Sequence, residues 1–277
     1  LTSNLWGDPL PREFADAIEQ ARDRLGPIGS RVAFFSTVGS TNDVASTLAA
    51  ASSHEGTVVI ADSQTAGRGR LGRTWFSPPG NGLYVSVVLR LSRAGRDVDR
   101  AAKLVTIAAG AALAEAIAAA TALGVAVKWP NDLYVGRRKL GGILAEAAMT
   151  ASSAAGIDTV IVGYGINVGS MAYPPELGDR ATSLEIELGR PVDRAFLLAE
   201  TLAAVARRHD DLLAGRFDAI LDAWRARAPG SRGSRVSWST PSGTRTGTTS
   251  GIDEQGALLV QVGDDVERIV AGEITWL

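Results

Sequence analysis

A chain of 277 residues that is 45% hydrophobic and 21% charged can bury one large core or two modest ones, and it is too apolar to be a disordered chain. It has no cysteine, which excludes disulfides, thiolate zinc sites and cysteine nucleophiles. Its two histidines, His54 and His209, are too few for a histidine metal cluster, and neither lies near a Gly-x-Ser-x-Gly elbow. With 28 basic and 30 acidic residues the net charge is −2, so there is no global attraction to nucleic acid. No secretory leader opens the sequence, and the expected compartment is the cytoplasm. A start at Leu1 rather than methionine leaves room for residues upstream.

In chain order, residues 12–25 read as an amphipathic helix closed by Gly26-Pro27. Val32–Phe35 reads as a short strand. Thr41 or Asn42 is a candidate cap for a helix to about Ser52, and Thr57–Ala61 and Leu83–Leu91 read as strands. From Leu104 to Val127 the only charge is Glu115, which imitates a membrane span. Its Ala-Gly content and central carboxylate instead predict a buried core helix over about 101–123, stopped by Gly124, with no membrane partner. A strand near Val125–Lys128 leads into a hairpin of Asp132–Val135 with Lys139–Ala148 around Gly136, followed by a strand at Asp158–Val162. Residues 193–214 and 216–227 read as helices. At Pro229-Gly230 the composition turns to Gly, Ser, Thr and Val. Strands are expected at Thr248–Asp253, Leu258–Val262, Glu267–Val270 and Ile274–Leu277, in a small barrel that needs the larger unit for support. The predicted division is 1–229 and 230–277.

Three stretches carry chemistry. Residues 67–72, GRGRLG, match G-x-G-x-x-G after a strand, but Pro78 and Pro79 forbid the helix a dinucleotide fold requires, and no acid occurs between Asp62 and Asp97. What remains is a flexible loop with Arg68, Arg70 and Arg73 and no local acid, suited to ordering around an anion, with Trp75 as a latch. In KWPNDL (128–133), Lys128, Asn131 and Asp132 suit phosphate, a base edge and Mg²⁺ respectively. KLGGIL (139–144) and GYGIN (163–167) put paired glycines beside polar residues, which marks the close approach of a ligand that Lys139 can reach.

Together these motifs resemble the bacterial biotin protein ligases. The matching pieces are Ser40-Thr41-Asn42, Gln64, GRGRLGRTW (67–75), SPPGNGLYVS (77–86), KWPNDL, KLGGIL with Glu146, and GYGIN, in the family's order. GIDEQGALLV (251–260) and Gly272-Glu273 are similar to its small C-terminal domain. The resemblance implies an α+β fold: a mixed sheet of the class II aminoacyl-tRNA-synthetase-like kind with helices, plus an SH3-like β-barrel. It implies an ATP-dependent ligase that forms biotinoyl-5′-AMP and pyrophosphate from biotin and MgATP. It then transfers biotin to a lysine of a biotin carboxyl carrier protein domain of acetyl-CoA carboxylase or a related carboxylase.

Carried over by position, Ser40, Thr41, Asn42 and Gln64 bind the biotin head group. Arg68, Gly69 and Arg70 close over biotin, with Arg70 and Lys139 as the catalytic pair. Arg73, Lys128, Asn131, Asp132 and Asn167 face the nucleotide, Asp132 also being the candidate Mg²⁺ ligand. Two alternatives stay open: Lys128 as a strand-end ion pair, and Trp75 as simple core. Family members that also repress transcription carry an N-terminal winged helix, and only about 30 residues precede the first strand here. The expectation is therefore ligase activity alone, without nucleic acid, and with at most a weak homodimer. A lipoate ligase of the same fold is the nearest alternative. A biotin-responsive regulator and a non-catalytic biotin-binding module are the others.

Overall fold

The computed structural model describes residues 6–51, 55–148, 158–171 and 173–277. His54 and the expected helix end at Ser52 lie outside them. The first unit is built on a seven-stranded sheet: β1 (Arg31–Phe35), β2 (Thr57–Ala61), β3 (Gly82–Arg90), β4 (Ala126–Lys128), β5 (Asp132–Val135), β6 (Arg138–Ala147) and β7 (Thr159–Asn167), in the order β1-β2-β3-β7-β6-β5-β4. Only β1 and β2 are parallel, so the sheet is mixed, as the α+β reading requires.

The helices divide by face. On one side lie α1 (Arg12–Gln20), α2 (Arg22–Leu25), α4 (Val98–Thr121), α6 (Arg194–Leu213) and α7 (Phe217–Arg225), which cover Val85, Val87, Leu89, Val160 and Val162. On the other, α3 (Thr41–Ala51) packs Ala45, Leu48 and Ala49 on Ala33, Val59, Val88 and Ile161. A short helix, α5 (Leu184–Leu188), is capped by Ser183 and gave no sequence signal. α4 is long and apolar enough to cross a membrane, but most of it is buried inside the protein, so it is a core helix.

Several boundaries differ from expectation. Residues 12–25 break at Ala21, whose N–H closes back on Ala17. α4 ends at Ala122 in the left-handed conformation (φ 63°), ahead of Gly124, and the Thr121 hydroxyl donates to the Ile117 carbonyl there. Thr41 and Asn42 fall within the first turn of α3 rather than capping it, and the Ser40 carbonyl accepts the Val44 N–H. β7 runs on through GYGIN to Asn167.

The tail forms β8 (Arg232–Thr240), β9 (Gly243–Ile252), β10 (Leu258–Val262), β11 (Asp265–Ile269) and β12 (Ile274–Trp276). They make one antiparallel sheet in the order β11-β10-β9-β8-β12. β8 and the first half of β9 went unread because they are mostly Ser, Thr, Arg and Gly, with only Val236 and Trp238 of β8 alternating as buried apolar residues. This sheet shares one core with the first unit. Trp129 Nε1 donates to the Gly256 carbonyl at 2.9 Å. Gly256, at φ 79°, comes so close to α4 that a Cβ would meet Ile107 Cγ1 at 3.0 Å. Burial of Leu104, Ile107 and Leu258 along this seam stabilises the join by roughly 1.5–3 kcal/mol per side chain.

Candidate active site

Side chains alternate across a strand, so one face of the sheet carries Ser86 and Val88 of β3, Ile161, Gly163, Gly165 and Asn167 of β7, and Gly142, Leu144 and Glu146 of β6. α3 covers the Val88–Ile161 end. Towards Asn167, glycine replaces the side chains, and the space they vacate opens as a cleft of about 640 Å³. One register row crosses its floor: Gly165 pairs with Gly142, Gly142 with Asp132, and Asp132 with Lys128. The sequence expectation that these glycines mark a close approach is correct in kind, but side chains of the protein make the approach. A Cβ on Gly163 would lie 2.8 Å from Asn42 Cγ, and one on Gly165 would lie 2.6 Å from Trp75 Cε2.

At the Gly163 end the cleft is polar and largely uncharged. The backbone N–H of Thr41 and its hydroxyl donate to Gln64 Oε1 at 2.9 and 3.2 Å, and Gln64 Nε2 donates to Ser77 Oγ at 2.9 Å. Ser86 Oγ lies 2.8 Å from Thr41 Oγ1 and 2.6 Å from Asn42 Oδ1, with one proton to share between them. Asn42 Nδ2 donates to Glu146 Oε2 at 2.6 Å. Ser40, Thr41 and Asn42 are all buried at the head of α3, so these groups are held rigidly by the sheet beneath. Fixed donors and acceptors together suit a compact ring that presents both.

The loop 67–75 lies across this end. Its three arginines were read as lacking acids, and the structure corrects that. Arg68 pairs with Asp43 at 2.7 Å and Glu146 at 2.9 Å, and Arg73 pairs with Glu273. Those acids come from α3, β6 and the C-terminal unit, far away in sequence. Arg70 alone of the three has no carboxylate partner among the described residues. It donates weakly to Asn131 Oδ1 and the Gly272 carbonyl, and burial pushes its guanidinium below the ordinary value against the pull of Asp132 and Glu273. Gly69 leads into the 3-10 turn Arg70–Gly72, in which Leu71 takes φ 56°. Trp75 lies on Gly165 and against Gly142, and its indole N–H is buried without a partner.

Across the row, Lys139 Nζ pairs with Asp132 Oδ1 at 2.7 Å and lies 5.5 Å from the centre of the Trp75 ring. The Lys139 carbonyl accepts the Thr182 N–H, and Asn167 Nδ2 donates to the Thr182 carbonyl, which fixes the segment before α5 against the cleft. Asn131 spans from β5 to β6, donating to the Ile143 carbonyl at 2.7 Å. Lys128 makes no ion pair with a described carboxylate, which overturns the strand-end salt-bridge alternative. It lies instead over the rings of Tyr134 and Trp276. Among the described residues no three His, Asp or Glu side chains converge on a metal position. The single Asp132 carboxylate suits a Mg²⁺ ion held mostly by phosphate oxygens and water.

Every residue predicted for the site lines this one cleft. Sequence reasoning missed Tyr134, Tyr173 and Arg180, which also line it. Tyr134 and Tyr173 are both pushed up to about 12 by burial, so both phenols stay protonated at neutral pH. Tyr134 directly follows KWPNDL and could have been read with it, whereas Tyr173 and Arg180 sit in a stretch without periodicity. Gly272 and Glu273 complete the wall from the C-terminal unit.

The family described as biotin/lipoate A/B protein ligase matches residues 34–167, and the biotin protein ligase C-terminal domain matches residues 233–275. The chain is 35% identical over 249 residues to the bifunctional ligase/repressor BirA of Bacillus spizizenii, covering 89% of this chain and 74% of that protein. It is 34% identical over 266 residues to the biotin–[acetyl-CoA-carboxylase] ligase of Mycobacterium tuberculosis, covering 92% and 94%. The biotin protein ligase of Aquifex aeolicus, solved in complex with biotin and ATP, superposes with a TM-score of 0.74 at 29% identity over 90% of this chain and 99% of that one.

Proposed function

The chain belongs to the biotin protein ligases of the biotin/lipoate A/B protein ligase family and is a ligase, and from that premise we propose that it activates biotin with MgATP as biotinoyl-5′-AMP and passes the biotinoyl group to a carrier lysine. The observation that carries this reading is the arrangement along β7 and across its row. A neutral donor-acceptor recess lies at Gly163, and a lysine, an aspartate and a second lysine lie in or beside the row through Gly165.

In the first step a biotin carboxylate oxygen attacks the α-phosphorus of ATP, and the bond to the β-phosphate breaks to release pyrophosphate. Two like unit charges 4 Å apart repel by about 4 kcal/mol at an effective dielectric of 20, so charge repulsion adds substantially to the barrier. Lys139 is the group that offsets it. Asp132 holds its ammonium, and ligand oxygens take the place of that carboxylate. Arg70, half-buried and without a carboxylate partner among the described residues, forks onto the same charge. Asn131, Asn167 and Arg73 hold the nucleotide. Mg²⁺ enters with ATP as substrate, with Asp132 as its protein carboxylate. Thr41, Asn42 and Gln64 bind the biotin ring beside Ser40, and Arg68-Gly69 closes the loop over it, with Trp75 as its latch.

In the second step the amine of a carrier lysine attacks the acyl carbonyl, AMP leaves, and the amine proton is lost to solvent. The acceptor is the biotin carboxyl carrier domain of a biotin-dependent carboxylase such as acetyl-CoA carboxylase. Residues 1–229 form the catalytic unit, and 230–277 form the SH3-like unit that closes the cleft with Glu273. The test is exchange of labelled pyrophosphate into ATP with biotin, with lipoate and with neither. Exchange with biotin alone is expected; exchange with lipoate alone would transfer the reading to the lipoate ligases.

A further inference from the structure

The cations in and around the cleft are not equivalent before ligand arrives. Lys139, Arg68 and Arg73 are each tied to a carboxylate, which must be released before the charge can serve a phosphate. Lys128 is held differently. Its ammonium lies 5.1 Å from the centre of the Tyr134 ring and 5.7 Å from the centre of the Trp276 ring, within the range where a ring face attracts a cation. A ring face orients the ammonium without neutralising it. Burial pushes Lys128 down and Lys139 adds to that, while Asp132 and Glu273 oppose it.

Trp276 belongs to β12, paired with Val236 of β8. Its ring rests on Gly230, where a Cβ would come within 2.5 Å of Cζ3. Its indole N–H is buried without a partner among the described residues, so no hydrogen bond to them sets the orientation of the ring. We propose that Trp276, with Tyr134, is a positioning residue that holds the Lys128 ammonium towards the phosphates of the bound nucleotide. The C-terminal unit then contributes to nucleotide binding through an aromatic face. This inference rests on the ligase reading above.

The experiment compares Trp276→Leu, Trp276→Phe, Lys128→Gln and the Trp276→Leu/Lys128→Gln double variant in biotin-dependent pyrophosphate exchange. Leucine keeps apolar bulk and removes the ring face; phenylalanine keeps both. Trp276→Leu is expected to raise KM for MgATP roughly 3- to 30-fold and to leave KM for biotin within about twofold of wild type, near the normal range of such contacts. Trp276→Phe should restore most of the loss, and Trp276→Leu should add nothing once Lys128 is glutamine. An equal effect of Trp276→Leu in both backgrounds, a parallel rise in KM for biotin, or no effect would overturn the inference while active wild-type protein left the ligase reading intact. Wild-type protein without biotin-dependent exchange would overturn both.

Discussion

Gly165→Ala tests how the loop is fastened. The new Cβ would lie 2.6 Å from Trp75 Cε2 and 3.1 Å from Cδ1, where ordinary contact begins near 3.4 Å, so strand or ring must retreat by nearly ~1 Å. β7 cannot give, because it is hydrogen-bonded to β3 on one side and β6 on the other and is buried throughout. The ring therefore moves, and the loop 67–75 moves with it. Overpacking of this kind costs about 1–3 kcal/mol. The loop's other side-chain fastenings are partly exposed arginine pairs, worth at most about 1 kcal/mol each, and the long Arg70 hydrogen bonds to Asn131 and Gly272, so they hold it only weakly. Biotinoyl-AMP is a mixed anhydride that a displaced loop would release. Its dissociation from the variant should be roughly 5- to 150-fold faster, since each 1.4 kcal/mol is a factor of ten. The assay is stopped-flow dissociation of preformed adenylate, with Gly124→Ala, where a Cβ meets nothing, as control. Any fall in melting temperature should stay within the few degrees that about 1–3 kcal/mol implies for a chain of this size. A dissociation rate within twofold of wild type would refute the claim that Trp75 on Gly165 holds the loop closed.

Lys139→Ala should lower biotin-dependent pyrophosphate exchange by about 10²–10³-fold, the usual loss of one preorganised charge contact, with an unchanged melting temperature; exchange within threefold of wild type would remove Lys139 from the chemistry. Arg70→Gly should form adenylate through Lys139 yet release it about tenfold or more faster, seen as indiscriminate labelling of bystander albumin; unchanged release would make Arg70 a solvated charge. His209 is 2% exposed, with Nε2 3.0 Å from the Arg90 carbonyl, and burial pushes its pKa below 6.5. The folded state therefore favours the neutral ring. Its contribution is complete above pH 6.5 and declines as pH falls through the unfolded value towards the folded one, by at most about 1.4 kcal/mol per unit. Melting curves between pH 7.5 and 5.5 should show a steeper loss in wild type than in His209→Gln, and parallel curves would contradict this.

What the sequence disclosed, it disclosed through local pattern. The unbroken Ala-rich run predicted α4, and the alternation of residues 83–91 predicted β3, because those signals lie within a few turns or pleats of one another. The motifs GRGRLGRTW, KWPNDL and GYGIN were correctly brought to one cleft. The counter-charges were not legible. Asp43, Glu146 and Glu273 reach the arginine loop only through tertiary packing, so a stretch without local acid was read as unpaired. Gly163 and Gly165 were read as lying past the end of a strand and marking the approach of a ligand, whereas they are places in a continuous strand where Asn42 and Trp75 press on the backbone. For Lys128, read as facing the nucleotide, the alternative of a strand-end ion pair stayed open because its ring partners, Tyr134 and Trp276, come from the neighbouring strand and from the penultimate residue of the chain.

The most direct test of the ligase account is intact-mass analysis of an apo biotin carboxyl carrier domain incubated with the protein, biotin and MgATP. The account predicts addition of one biotinoyl group to one lysine of the carrier, dependent on both biotin and ATP and abolished by Lys139→Ala. Failure to modify the carrier while the protein still catalyses biotin-dependent pyrophosphate exchange would contradict protein ligation. Modification with lipoate in place of biotin would contradict the assignment of the substrate.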